Sequence, residues 1–74
     1  MMIITTKSGS EYIFSKHDGN LWISKGLMEG VVIKHSVFEI GSILEVYFRK
    51  MNCFGELDSY TSFLRTTDVI VSIS

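Results

Sequence analysis

Six glycines, at positions 9, 19, 26, 30, 41 and 55, divide a chain that contains no alanine, glutamine or proline. The pieces between them are filled with nine isoleucines, six valines, five threonines, five phenylalanines and three tyrosines. β-Branched and aromatic side chains are restricted in a helix and pack well on a pleated surface. Good helix formers are scarce. Short runs of strand formers between regular turn signals point to an all-β domain, a small barrel or a sandwich.

The glycines and polar pairs also set expected boundaries. The first strand is predicted over Met2 to Thr6 and the second over Ser10 to Ser15, joined by a Lys7-Ser8-Gly9 turn. His17-Asp18-Gly19-Asn20 is a second turn with Asp-Gly at its centre. The third strand covers Leu21 to Lys25, and Gly26 to Gly30 is a loop whose Leu27 and Met28 fold over an edge of the core. Further strands are expected over Val31 to Val37, Ser42 to Lys50, Ser59 to Thr67 and Val69 to Ile73. Residues Glu56 to Asp68 also fit a short helix capped by Asp58, with Leu57, Tyr60 and Leu64 at helical spacing. Their Tyr, Thr, Ser and Phe content favours strand.

Alternation assigns faces. Leu44, Val46 and Phe48 form a core face, and Ile43, Glu45, Tyr47 and Arg49 the opposite one. Val69, Val71 and Ile73 point one way, and Ile70, Ser72 and Ser74 the other. Trp22 lies on the face opposite Leu21 and Ile23.

At 74 residues the chain is a single domain, residues 1–74. A domain this small buries only about 60% of its unfolded surface. Yet 46% of the residues are hydrophobic, 20% are charged, and the mean hydropathy is +0.27. That excess predicts self-association into a homo-oligomer. The net charge of −1 and pI near 6.0 supply no field for duplex DNA or anionic lipid. The lone Cys53 fits a reducing compartment, no apolar run reaches bilayer length, and the first residues do not read as a signal peptide. The expected location is a cytoplasm.

The opening IITTKSGSEY, the middle IGSILEV and the closing TTDVIVSI resemble a group of small, phage-encoded β-barrel proteins. In that group a Thr-x-Ser-Gly-Ser-x-Tyr hairpin opens the chain, and Thr6, Ser8, Gly9, Ser10 and Tyr12 match it here. A Gly-Ser-hydrophobic strand follows mid-chain, and a Thr-Ser-x-Val type turn leads into a final Val/Ile strand. Thr66, Thr67, Asp68 and Val69 match that turn in type, with Thr67-Asp68 where Ser-Pro is common. The resemblance covers about half the chain and rests on turn grammar. It implies a small SH3-like barrel, or two packed antiparallel sheets, of about six to seven short strands. It also implies a counter-defence setting, in the host cytoplasm, in which some small oligomeric phage proteins hold the nucleotide signals of bacterial immunity.

The residues offer few chemical motifs. The stretch TTKSGSEY is not followed by a helix whose N-terminus would hold a phosphate, so it is a hairpin turn. Lys7, Ser8 and Ser10 can still line a rim shared with a second subunit. His17, His35 and Cys53 lack metal-ligand spacing, and no cation or His neighbours Cys53 in sequence. Glu39, Glu45, Asp58 and Asp68 read as solubilising surface charges. No cofactor and no catalytic group is implied. The better lead joins aromatic, cationic and hydroxyl groups: Trp22 as a stacking platform, Lys25, Arg49 and Arg65 for anions, and Tyr60, Ser62, Thr66 and Thr67 as donors. Set against it, Trp22 is also the kind of residue that anchors an oligomer.

Three functions follow as expectations. One is a non-enzymatic homo-oligomer that sequesters a small nucleotide-like ligand between subunits. Another binds a host protein through a barrel face or an open strand edge, with Ile43, Tyr47 and Ile70 as anchors. The last binds single-stranded nucleic acid, against which the acidic balance argues.

Overall fold

The Asp18-Gly19 pair makes a two-residue turn. Both residues have positive φ, 52° and 78°, as a two-residue type I′ hairpin turn requires. In the computed structural model, which describes residues 1–74, this turn joins β2 (Glu11–His17) to β3 (Asn20–Lys25). It fixes the register His17 opposite Asn20 and Ser15 opposite Trp22. β1 (Met2–Thr6) pairs antiparallel with β2 across the Lys7-Ser8-Gly9 turn, where the Gly9 N–H donates to the Thr6 carbonyl at 2.9 Å.

Gly26 and Leu27 form the next turn, with Gly26 at φ 60° in the first central position. Lys25 therefore pairs with Met28, and β4 (Met28–His35) begins at once. The expected Gly26–Gly30 loop is thus corrected to a two-residue turn, and Leu27 is fully exposed instead of folding over the core. Gly30 is needed inside β4. A Cβ there would lie 2.6 Å from the Arg49 carbonyl oxygen and 2.9 Å from the Phe48 ring.

β5 (Ile43–Lys50) and β6 (Ser62–Ile73) complete an antiparallel barrel that closes by pairing β6 with β1. Of the two expected architectures, the barrel is present. It has six strands, the lower of the expected numbers, because the two separate strands expected over Ser59 to Thr67 and Val69 to Ile73 are one, Ser62–Ile73. The helical alternative for Glu56–Asp68 does not form; its first part is loop, with one isolated bridge between Met51 and Leu57. No helix is present that is long and apolar enough to cross a membrane.

Ile4, Tyr12, Phe14, Ile23, Leu44, Val46, Phe48 and Ile70 fill the barrel. Each buried aliphatic or phenyl side chain contributes about 1.5–3 kcal/mol. From the β4–β5 connection Phe38 packs on Phe14, with ring centroids 4.8 Å apart, and stacks on His35 at 4.0 Å. Ser36 pins that connection: its Oγ accepts from the Glu45 N–H at 2.9 Å.

The prediction that Ile70 faces outward is overturned. A bulge shifts the β1–β6 register between Thr5 and Thr6, so Thr6 lies opposite Ile70 and Thr5 opposite Ser72. The extra residue, Val71, is pushed out, 45% exposed, while Ile70 is fully buried and Ile73 packs against the core. A bulge inserts one residue and so breaks a two-residue period.

Candidate functional site

The closed strand order decides which outward side chains can meet. β3 and β6 are three strands apart in either direction around the barrel. Trp22 is outward on β3, since its neighbour Ile23 is core. Arg65 is outward on β6, opposite Glu45, which lies between the core residues Leu44 and Val46. The aromatic and cationic groups singled out from the sequence therefore occupy opposite flanks of one chain.

On the Trp22 flank, a cleft of about 240 Å³ opens on the outer face of β2, β3 and β4. Ser15 lies directly across from Trp22, and Ser24 across from Glu29. Glu29 sits one alternation from Val31, the residue opposite Trp22. Such diagonal neighbours lie about 7–8 Å apart, within reach of long side chains. Met51 joins them because its N–H donates to the Glu29 carbonyl at 2.8 Å. His17 is at the mouth, with its Nε2 3.3 Å from the Asp18 carboxylate. The indole N–H of Trp22 is buried and has no hydrogen-bond partner, a cost of about 1–3 kcal/mol for a group of this kind. Its N–H being covered, what Trp22 gives the cleft is aromatic surface.

The other candidates are distributed elsewhere. Lys25 places its Nζ 4.9 Å from the centre of the Tyr12 ring, a cation–π contact. The Arg49 Nε donates to the Asp58 carbonyl at 2.6 Å and ties the β5–β6 loop down. Tyr60 is exposed on that loop, beside an open cleft of about 440 Å³ that also touches Lys50 and Asn52. Ser62 starts β6 opposite Phe48. Arg65 forms an exposed ion pair with Glu45 at 3.5 Å, and Thr67, two residues on, is also exposed. Thr66 is buried and its hydroxyl is fully engaged, accepting from the Leu44 N–H at 3.0 Å and donating to the Asp68 carbonyl at 2.9 Å. It repairs the β5–β6 ladder where the register shifts, so it has no hydrogen to offer a ligand.

Around β4, β5 and β6 lies a second outward feature. Tyr47 and Phe63 are directly opposite one another, ring centroids 4.7 Å apart, 36% and 50% exposed. The Lys34 Nζ sits 4.7 Å from the Tyr47 ring centre. Tyr47 is the sole survivor, as an exposed aromatic, of the three expected protein-binding anchors: Ile70 is core and Ile43 is half-buried. The open strand edge of that reading does not exist, since every strand has two neighbours.

Sequence reasoning missed Glu29, Ser15 and Met51 as partners of Trp22, while Ser24 shares its face by alternation. Ser15 was within reach, because a two-residue Asp-Gly turn dictates its cross-strand position. Glu29 was hidden by taking Gly26–Gly30 as a loop. Met51 arrives only through the β4–β5 ladder, which no local pattern encodes.

Side chains of the His, Cys, Asp and Glu types form no group of three that could hold a metal ion. Comparison with protein-family models, with curated proteins and with solved structures finds no match to this chain. A functional reading therefore rests on the geometry of the site itself.

Proposed function

We propose that this is a non-enzymatic binding protein that works as a homo-oligomer and sequesters a nucleotide-like ligand where copies meet. The observation that carries it is the split of the candidate groups between two flanks. Trp22 and its cleft offer a surface for a base on one side. Arg65 and Thr67 offer a cation and a hydroxyl on the other. Two flanks that one chain cannot join can be joined head-to-tail by the next copy, the kind of contact that closes into a ring. The exposed Arg65–Glu45 pair is cheap to exchange for a phosphate, because such surface pairs contribute about 0–1 kcal/mol.

Ten large hydrophobic side chains on the exterior, among them Ile33, Val37, Ile40, Phe54 and Phe63, supply a reason for copies to associate. The net charge of −1 opposes association little. The resemblance to small phage barrels supports a counter-defence role in a host cytoplasm, with an immune nucleotide as the sequestered signal.

The test is subunit mixing, read by native mass spectrometry and calorimetry against cyclic dinucleotides and ADP-ribose derivatives. Trp22→Ala and Arg65→Ala should each abolish binding, and a mixture of the two should restore about one quarter of the sites in a ring. A monomeric particle, or a mixture as inactive as its parents, overturns the reading.

The Tyr47–Phe63 pair favours a second reading, docking of a host protein on the β4–β6 face. A monomer that recovers one stoichiometric partner, and loses it on Phe63→Ser, would put that reading first.

A further inference from the structure

The cleft beside Trp22 is small, and its character is acidic. Its volume of about 240 Å³ lies below the range of about 300–1,000 Å³ usual for whole small-molecule ligands. It has room for one planar ring system, and an attached sugar or phosphate would lie outside it. Its one carboxylate is Glu29; His17 also lines it, with the Asp18 carboxylate 3.3 Å from the His17 Nε2. A phosphate would be repelled there.

We infer that this cleft takes a planar heterocycle with paired N–H donors, of the guanine type, and that Glu29 reads its edge. This deepens the proposed function by naming the base end of the ligand, and rests on that reading only for the ligand being nucleotide-like. Glu29 makes no ion pair and its carboxylate has no hydrogen-bond partner, so both oxygens are unengaged. An ionised carboxylate is acceptor-only and presents two oxygens side by side. Guanine presents two adjacent donors, the ring N1–H and the 2-amino group, and matches it with two parallel bonds. Adenine and cytosine each set a single amino group beside a ring acceptor, which would face the second oxygen across a repulsive gap. The Trp22 indole and the polarizable Met51 thioether suit the faces of a flat ring. The Ser15 and Ser24 hydroxyls, on the same outward face, can each donate or accept.

Trp22 is the chain's single tryptophan, so its emission reports on the cleft alone. Titration of the intact protein with phosphate-free nucleosides tests the base site without the anion site. Guanosine should quench Trp22 saturably. Inosine, which lacks the 2-amino group, should bind about tenfold or more weakly, as loss of a hydrogen bond to a charged group implies. Adenosine should bind more weakly still. Glu29→Gln should weaken guanosine by about tenfold or more and strengthen adenosine, whose donor–acceptor edge the amide matches, with unaltered far-ultraviolet circular dichroism. Emission indifferent to guanosine, equal affinity for guanosine and adenosine, or a Glu29→Gln protein that binds guanosine as well as before would each overturn the inference. Guanosine binding alongside failed complementation by the mixed variants would leave this base site standing and remove the shared site. Successful complementation without guanosine preference would do the reverse.

Discussion

The first and second halves of this barrel are built differently. The β1–β2, β2–β3 and β3–β4 ladders run without interruption across short turns. The β4–β5, β5–β6 and β6–β1 ladders each contain a register shift, and the connections at 36–42 and 51–61 are long. Regular pairing produces a twisted ribbon; bulges bend it until its ends meet. The division extends to the candidate sites. The Trp22 cleft is carried mainly by the uninterrupted ladders, where hairpin turns fix each outward side chain. Arg65 and Thr67 lie on the bulged seam, where backbone irregularity sets position and the neighbouring Thr66 is used for closure.

The sharpest test of that contrast is at the β6–β1 shift. Ile70→Ala should cost about 2–5 kcal/mol in a urea titration, as expected for a fully buried aliphatic. Val71→Ala should stay within about 0.5 kcal/mol, as an exposed substitution does. Equal losses would mean that the strand alternates and the bulge is absent. The next test concerns the β5–β6 shift. Thr66→Val keeps the shape but leaves the Leu44 N–H buried without an acceptor, at about 1–3 kcal/mol, whereas Thr66→Ser should retain most of the stability. A harmless Thr66→Val would show that the hydroxyl does not hold the seam.

The smallest effect should appear where the halves touch. Asp68, on the seam, accepts from the Ser8 N–H of the β1–β2 turn at 2.6 Å. The Tyr12 hydroxyl is held neutral above 10.0, its ordinary value, first by burial and then by the Asp68 carboxylate. The unfolded chain then releases this proton before the folded one. Tyr12 thus contributes stability that is fully present below about pH 10 and is lost as pH rises through the raised value. Urea midpoints should be level below about pH 10 and fall between there and the raised value, above which Tyr12 adds no further decline. Tyr12→Phe should remove this part of the decline, and Asp68→Asn should lessen it. Identical profiles for all three proteins would sever the link.

Much of the regular half was legible because its signals are local. Asp18-Gly19 specifies its turn by conformation, and alternation in a straight strand separates Trp22 from Ile23. The core face of β5 was legible for the same reason. Gly26-Leu27 misled because two glycines four residues apart imitate a loop, although the second, Gly30, is there to let β4 approach β5. β6 was misread for a different physical cause. The Thr66 hydroxyl stands in for a backbone acceptor, and Val71 is an extra residue, so neither obeys a two-residue period. The candidate groups could be sorted by chemistry from the sequence, and not by place. That β3 and β6 lie on opposite flanks follows from closure, which is a property of the whole chain.

Closure has one more outcome. With β6 hydrogen-bonded to β1, no strand is left to template the backbone of a neighbour, the step by which oily β-proteins stack into fibrils. A contact between copies of this chain would therefore run through side chains and loops, with no shared sheet to lock it.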